Sequence, residues 1–304
     1  MRRCSALVLL ALHGACAAPL VQDAGPSGPS ARETLAGARP IEVRTGDGMT
    51  LRGLFLEAAA DAPVVLHLLP SAASTETGVP AGIGRVALDG MLERFRDLGW
   101  SSLVVDYRGL GRSDGCRDAR RLGSDGEAMW REAVRRAGGS ADRVVLRAVS
   151  LGSLVAADLL ARCAESDDGD GRPAAAVLVA PVRSTTVVRN VARDRSGALA
   201  AWWAGLVYRT PDLPDLETVV ASTGVPLLVV LPAEDPYLPR EESARLDDAA
   251  RAAGHRVEAL ASDHAQTVLR AWGFAIDADG FAGQRVSTLL EAERLFLDGL
   301  GLTP

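Results

Sequence analysis

Short apolar runs alternate along this chain with longer amphipathic segments. Runs that suit strands buried on both faces of a sheet occupy residues 64–69, 103–107, 144–149, 176–180, 227–231 and 256–260. Helical spacing of apolar side chains is found over residues 88–98, 150–164 and 240–253. This alternation predicts an α/β fold with a mostly parallel central sheet and helices on both faces.

Two further strands are predicted before the alternating region, over residues 41–45 and 50–56. The turn between them contains Gly46, Asp47 and Gly48, a composition typical of β-hairpins. Residues 19–40 are rich in Pro, Gly, Ser and Ala and have no apolar periodicity, which predicts a flexible linker. We therefore expect a single domain over residues 41–304.

Residues 1–18 are typical of a bacterial export signal. Arg2 and Arg3 precede an apolar run at 6–12 and small residues at 14–18. Cys16 lies where a lipoprotein signal has its acylated cysteine, although His13 replaces the usual Leu. Two alternatives stay open, free secretion into the periplasm or medium and attachment to the cell envelope through a lipid at Cys16. No other run reaches the ~18 apolar residues that a membrane helix requires.

The composition and residue spacing argue against several classes of candidate function. The 304 residues carry a net charge of -6, which argues against a nucleic-acid binder with a basic surface. All 33 basic residues are Arg, and this excludes a Schiff-base lysine and a phosphate-loop lysine. No His or Cys pair has metal-ligand spacing, and no Gly-rich dinucleotide motif follows a first strand. We expect no metal and no cofactor, and we expect Cys116 and Cys163 to be unpaired.

The strongest chemical signal is a serine between a predicted strand and a predicted helix. Residues 144–153 read VVLRAVSLGS, a buried strand followed by a small-x-Ser-x-Gly turn. A sharp turn of this kind exposes the serine hydroxyl at the carboxyl edge of a sheet. Ser150 is therefore the candidate nucleophile, with Ala148 in place of the usual first Gly. The alternative is an ordinary serine that caps a helix.

Together with this motif, two other segments make the sequence similar to the α/β-hydrolase superfamily over nearly the whole predicted domain. Residues 106–113, DYRGLGRS, resemble the loop after the family's fourth strand. The hairpin with Asp47 and Gly48, followed by Leu51 and Gly53, resembles the opening of its serine aminopeptidase-like and lysophospholipase-like branches. The resemblance implies the α/β-hydrolase fold with a small helical cap, and a triad ordered Ser, acid, His along the chain.

The family order directs the search for the acid and the base to residues after Ser150. Residues 225–239, VPLLVVLPAEDPYLP, form a buried strand that ends in an acidic pair. Asp235 matches the position of the family's acid, and Glu234 is the alternative. His264 follows the carboxyl end of the last predicted strand, 29 residues after Asp235, which leaves room for one helix and one strand. We expect Asp235 to orient His264 and His264 to act as the base.

The other three histidines fit the role less well. His13 lies in the predicted signal. His67 lies inside a strand that precedes the nucleophile, where a core position is expected. His255 begins the last strand at the amino-terminal edge of the sheet, away from the expected site.

The oxyanion hole needs two backbone donors. The amide of Leu151, directly after the nucleophile, is the first candidate. The resemblance assigns the second donor to the amide of Ser71, in the loop after the third strand. In that loop Leu69 and Pro70 replace the family's usual His and Gly, and Pro70 has no N–H.

The resemblance places a substrate-covering cap at about residues 182–224, a segment too long for a tight connection. Its large apolar residues either line an acyl or alcohol pocket or only pack the cap. Its arginines either meet a carboxylate or phosphate group or form a solvated face. These residues are Trp202, Trp203, Leu206, Val207 and Tyr208, and Arg183, Arg189, Arg193 and Arg195.

These features predict an exported serine hydrolase that cleaves a carboxylic ester, or a related acyl substrate, through an acyl-enzyme. The expected partner is a small-molecule ester, with no nucleic acid and no membrane contact except a lipid at Cys16. Thioesterase, lysophospholipase and serine peptidase activities stay open. So does a catalytically silent binding protein at the cell envelope, which Pro70 and Ala148 would favour. The oligomeric state is not predicted.

Overall fold

The apolar runs form strands and the amphipathic segments form helices in a computed structural model of the protein. The structure describes residues 35–71, 73–76, 84–165, 171–190, 192–193, 213–272, 276–277, 280–281 and 288–302. The predicted export signal with Cys16, and the linker up to residue 34, lie outside the described residues. Of the predicted cap, residue 191 and residues 194–212 also lie outside them, including Arg195, Trp202, Trp203, Leu206, Val207 and Tyr208.

The strands are β1 (Ala38–Arg44), β2 (Thr50–Leu56), β3 (Val64–Leu68), β4 (Ser101–Val105), β5 (Val144–Val149), β6 (Ala175–Val179), β7 (Leu227–Glu234), β8 (Arg256–Asp263), β9 (Ile276–Asp277) and β10 (Gly280–Phe281). The helices are α1 (Gly84–Asp97), α2 (Leu122–Arg136), α3 (Gly152–Glu165), α4 (Leu216–Ser222), α5 (Arg240–Ala252), α6 (His264–Ala271) and α7 (Thr288–Gly299). Residues 184–190 are also helical. Within the described ranges, no helix is long and apolar enough to cross a bilayer.

The centre of the fold is an eight-stranded sheet in the order β1-β2-β4-β3-β5-β6-β7-β8. Strand β2 runs antiparallel to β1 and β4, and each later pair of neighbours is parallel. The interior strands β3 to β6 are buried along their whole length, as continuous apolar runs require in a sheet covered on both faces. The predicted fold class, a mostly parallel sheet with covering helices, is confirmed.

The helices form two layers. In one layer α2 contacts α3, α3 contacts α4 and α4 contacts α5. In the other, the side chain of Arg147 on β5 reaches α1, the end of α6 and α7. Because the carboxyl ends of parallel strands lie at the same edge of a sheet, the loops after β5, β6, β7 and β8 meet at that carboxyl edge.

Some strand boundaries differ from those predicted. Strand β1 starts at Ala38 instead of residue 41, and Ala38 pairs with Leu56. Strand β4 starts at Ser101, two residues before its predicted start. Its first two residues are buried serines whose hydroxyls form hydrogen bonds: Ser101 accepts from the Ala58 amide at 3.1 Å, and Ser102 bonds the His67 ring at 3.2 Å. Polar side chains satisfied in this way do not show in an apolar pattern.

Arg108 joins the two segments that carry the family resemblance. Its guanidinium donates to Asp47 in the hairpin turn at 2.9 Å and to buried Asp125 on α2 at 2.6 Å. The hydrogen bonds from Arg108 hold the pKa of Asp47 well below its usual range. Burial raises the pKa of Asp125, and Arg108 opposes that shift. The hairpin, the loop after β4 and α2 are therefore held together by one arginine.

A buried ion pair links β5 to the second helical layer. Arg147 donates to both carboxylate oxygens of Glu293 on α7 at 2.9 Å, and both side chains are only 2% exposed. Arg147 also donates to the carbonyl of Ala271, the last residue of α6, at 2.6 Å. Burial raises the pKa of Glu293, and the charge of Arg147 opposes this shift. The pair fixes α6 and α7 against the sheet.

His67 is a core residue, as expected, and is 2% exposed. One ring nitrogen bonds Ser102, and the ring packs edge-on against Phe95 with centroids 5.0 Å apart. Its Nδ1 has no hydrogen-bond partner in the part of the chain that the structure describes. Burial lowers the pKa of His67, and the nearby charge of Arg147 lowers it further.

Glu293→Ala is expected to lower the free energy of unfolding by about 3–5 kcal/mol, because it leaves the Arg147 guanidinium buried without its counter-charge. The double variant Arg147→Met/Glu293→Leu should lose much less, because both charges are removed together. Glu127→Ala is the control, since Glu127 pairs with Arg131 on the surface of α2, where such pairs contribute about 0–1 kcal/mol. Urea unfolding measures all three variants. Equal losses in Glu293→Ala and Glu127→Ala would contradict this account.

Candidate active site

Ser150 lies in a sharp turn between β5 and α3. Its φ is 52°, in the left-handed region that residues other than Gly rarely adopt. The Ser150 amide donates to the carbonyl of Val179 at 2.9 Å, so the chain stays tied to β6 up to the turn. A residue in this conformation stores about 1–3 kcal/mol of strain, which the surrounding structure must offset. The sequence motif therefore forms the strained strand-to-helix turn that it predicts.

Two small residues allow this turn. A Cβ at Gly152 would lie 2.3 Å from the carbonyl oxygen of Leu68 on β3, too close for any side chain. Ala148 is fully buried beside the same strand, pairing with Leu68 in register. Gly152 is therefore required by the close approach of the turn to the end of β3, while the methyl group of Ala148 is accommodated.

The structure brings Ser150, His264 and Asp235 together. Ser150 Oγ and His264 Nε2 are 2.9 Å apart, and His264 Nδ1 is 2.7 Å from Asp235 Oδ2. The side chains of His264 and Asp235 are 10% and 2% exposed, so water has little access to the bond between them. The three residues form a continuous hydrogen-bonded chain with the geometry that nucleophile activation requires.

Glu234 and Asp235 point in different directions at the end of β7. Pro232 pairs with Leu260 and Glu234 with Asp263, so the register shifts by one residue and the extra residue lies in β8. The Glu234 side chain is 79% exposed and lies 3.9 Å from Arg240, away from His264. The alternative acid considered from the sequence thus points to solvent.

His264 stands at the junction of β8 and α6. Strand β8 continues to Asp263 instead of ending at residue 260, because Asp263 pairs with Glu234 beyond the bulge. Asp263 then caps α6 by accepting from the Gln266 amide at 2.8 Å. His264 is consequently the first residue of a helix that follows the carboxyl end of the last strand of the sheet.

Tyr237 is a site residue that the sequence reasoning missed. Its amide donates to Asp235 Oδ1 at 2.7 Å, which occupies the carboxylate oxygen that His264 does not use. Its ring packs edge-on against the His264 ring, with centroids 4.8 Å apart. The sequence could have predicted the contact between the Tyr237 amide and Asp235, since aspartates at turns often accept a hydrogen bond from the amide two residues later.

Ser153 was also missed. Its hydroxyl donates to the Ser150 carbonyl at 2.6 Å and accepts from the Val182 amide at 3.2 Å. This fully buried hydroxyl therefore links the turn after β5 to the loop after β6. The only sequence signal for this role of Ser153 is its position three residues after Ser150.

The two residues predicted to form the oxyanion hole lie on segments that touch each other. Leu151 is buried directly after Ser150, and Ser71 is half-buried in the loop after β3. That loop is anchored where the Tyr107 hydroxyl donates to the Leu69 carbonyl at 3.3 Å. The use of the Leu151 and Ser71 amides as donors to a substrate stays a prediction.

Neither His255 nor Arg183 joins the hydrogen-bonded series of Ser150, His264 and Asp235. His255 bonds the Val220 carbonyl at 2.9 Å, and burial lowers the pKa of its ring. Arg183 forms ion pairs with Asp215 and Glu217 at 3.2 and 3.1 Å. No group of three His, Cys, Asp or Glu side chains in the described part of the chain is arranged to hold a metal ion.

Known structures share this architecture. The chain matches the esterase Pf2001 of Pyrococcus furiosus with a TM-score of 0.61 and 15% identity, over 90% of this chain and 95% of that one. It matches an alpha-beta hydrolase of Vibrio vulnificus with a TM-score of 0.59 and 21% identity, over 77% of each chain. The chain has the α/β-hydrolase fold. The resemblance noted in the sequence is thus confirmed for the fold, and the branch stays a prediction.

Sequence comparison gives a more limited result. The chain is 28% identical over 264 residues to the uncharacterized protein Rv2307c of Mycobacterium tuberculosis, over 82% of this chain and 85% of that protein. No family model matches the sequence. An α/β-hydrolase fold can carry many functions, so the activity has to be argued from the site itself.

Gly152→Ala is expected to destabilise the protein by about 1–3 kcal/mol, because the added methyl group overlaps the Leu68 carbonyl and must displace the turn. Gly90→Ala on α1 is the matched control, since a Cβ there meets nothing within 4 Å and should stabilise the helix by about 0.5–1 kcal/mol. Urea unfolding gives both values. A Gly152→Ala protein as stable as the wild type would show that the turn tolerates a side chain.

Proposed function

We propose that the protein is a serine hydrolase that cleaves carboxylic esters through an acyl-enzyme. The observation that carries the proposal is the hydrogen-bonded chain from Ser150 Oγ through His264 to Asp235, with separations of 2.9 and 2.7 Å. The positive φ of Ser150 adds support, because strained residues occur preferentially at functional sites. The solved structures that share the fold include a protein named as an esterase and others named as hydrolases.

In the first half of the proposed reaction, Ser150 Oγ attacks the carbonyl carbon of the ester. His264 Nε2 accepts the hydroxyl proton, and Asp235 accepts a hydrogen bond from Nδ1–H. That bond holds the tautomer whose Nε2 lone pair faces Ser150 and stabilises the imidazolium once it forms. The tetrahedral oxyanion receives hydrogen bonds from the amides of Leu151 and Ser71.

In the second half, the tetrahedral intermediate collapses and the alcohol leaves with the proton from His264 Nε2. A water molecule then gives its proton to the same nitrogen and attacks the acyl-enzyme. The acid is released and Ser150 regains its proton. The Tyr237 amide keeps Asp235 in place throughout, because it binds the carboxylate oxygen that does not face His264.

Fluorophosphonate labelling tests the proposal without knowledge of the substrate. The wild type should form one adduct, which mass spectrometry locates on Ser150. Ser150→Ala should form none, and His264→Ala and Asp235→Asn should react more slowly by about 10³-fold or more, since each removes part of the base. Hydrolysis of p-nitrophenyl esters beside amino-acyl p-nitroanilides then separates an esterase from a peptidase.

The chain offers matched controls for this experiment. Ser222→Ala removes an exposed hydroxyl on α4, and His255→Gln removes an imidazole that contacts only the Val220 carbonyl among the described hydrogen bonds. Both should label like the wild type. A folded wild type that does not react would refute the assignment and favour a catalytically silent binding protein. An adduct on another residue would refute Ser150 as the nucleophile.

We also propose that the chain is exported, on the support of the Arg2-Arg3 pair, the apolar run and the small residues before position 18. When the full sequence is produced in a Gram-negative host, the mature protein should be found outside the cytoplasm with an N-terminus at or just after Cys16. Labelled palmitate that enters the wild type and Cys4→Ser, but not Cys16→Ser, would identify a lipid-anchored form. A cytoplasmic protein that retains its first residues would contradict export.

A further inference from the structure

A polar cavity of about 420 Å³ lies beside the loop that carries Asp235. One wall is formed by the helical segment after β6, and the other by the loop between β7 and α5 and the start of α5. The polar and charged side chains that line this cavity are Thr186, Arg189, Asn190, Arg193, Tyr237 and Glu242. The mechanism described above uses none of their side chains.

Tyr237 connects this cavity to the catalytic residues. It lines the cavity, its amide holds Asp235, and its ring is 4.8 Å from the His264 ring. Asn190 strengthens the connection, because its side-chain amide donates to the carbonyl of Pro236 in the same loop. A group bound in the cavity would therefore contact Tyr237, which in turn contacts both the acid and the base at the carboxyl edge of the sheet.

Two arginines of the cavity wall have no ion-pair partner among the described residues. Arg189 and Arg193 are four residues apart in helical segments and both are exposed. Neither forms an ion pair or a hydrogen bond with any residue of the described ranges. Arg183 is a clear contrast, since its guanidinium is shared among Asp215, Glu217 and Glu242.

Glu242 is the acidic residue of the cavity wall. Its Oε2 lies 3.5 Å from Arg183 Nε, so this carboxylate is directed at an arginine outside the wall. Arg189 and Arg193 line the cavity without an ion pair to any carboxylate of the described residues. Guanidinium groups bind carboxylate and phosphate groups through paired, charge-assisted hydrogen bonds.

We propose that this cavity binds an anionic group of the substrate, so that the preferred ester carries a carboxylate or a phosphate. The proposal rests on the proposed serine hydrolase function and names its substrate class. Arg189 and Arg193 supply the charge, while Thr186 and Asn190 line the cavity with further polar groups. The cavity is open to solvent at its arginines, so the attraction should weaken as salt is added.

Two pairs of substrates test the inference and distinguish the two anions. Mono-p-nitrophenyl adipate is compared with its neutral methyl ester for the carboxylate, and 1-oleoylglycerol 3-phosphate with 1-oleoylglycerol for the phosphate. The wild type should prefer the charged member of at least one pair by ~10-fold or more in kcat/KM, the effect expected of a charged hydrogen bond. The pair that shows the preference identifies the anion.

Variants then assign the preference to the cavity. Arg189→Gln/Arg193→Gln should abolish it while leaving the kcat/KM of the neutral ester unchanged. Arg172→Gln is the matched control, because Arg172 is an exposed arginine just before β6, at the opposite edge of the sheet. Equal kcat/KM values for charged and neutral esters in the wild type, or a loss shared by both esters in the double variant, would overturn the inference.

Binding measured without turnover separates this inference from the proposed function. Calorimetric titration of the Ser150→Ala protein with the preferred charged ester should give a dissociation constant that rises ~10-fold or more when Arg189 and Arg193 are also replaced. If the wild type resists fluorophosphonate but this binding persists, the hydrolase assignment fails and the anion site stands. If the wild type is labelled but no ester shows charge-dependent binding or turnover, the hydrolase stands and the anion site fails.

Discussion

The turn at Ser150 is the constraint on which the rest of the site depends. A serine at φ 52° is stable only if its neighbours hold it there, and two strands and one loop do so. The end of β3 presses against Gly152, β6 accepts the Ser150 amide through Val179, and Ser153 ties the turn to Val182. The parallel strands thus offset the strain and direct the hydroxyl toward the edge where His264 and Asp235 arrive.

The charges of the protein are arranged around this turn at different depths. The Arg147–Glu293 pair lies beneath it, fully buried, and fixes α6, whose first residue is His264. The Asp235 side chain is buried to the same degree and lies with His264 at the carboxyl edge. Arg189 and Arg193 are at the exposed level, where charge attracts a ligand at little desolvation cost. Position relative to the carboxyl edge, together with exposure, therefore separates the charges that serve the fold, the proposed chemistry and the proposed recognition.

Much of the fold could be predicted because the relevant forces are local. Buried parallel strands require continuous apolar runs, and helices require apolar faces, so both patterns appear in consecutive residues. Strands β2 and β5 have their predicted bounds. The start of β4 was missed, since Ser101 and Ser102 are buried only through hydrogen bonds to Ala58 and His67, which lie far away in sequence.

The sequence by itself determined the alternation of strands and helices, the strand-turn-helix around Ser150, and the order in which an acid and a histidine follow it. Only the tertiary structure decided that Asp235 reaches His264 while Glu234 faces solvent, because the two acids are adjacent in sequence and the choice depends on where β8 places His264. It alone showed that Arg147 pairs with Glu293, 146 residues later, and that Tyr237 supports Asp235. Such contacts depend on how distant segments converge, and no local pattern of residues records that convergence.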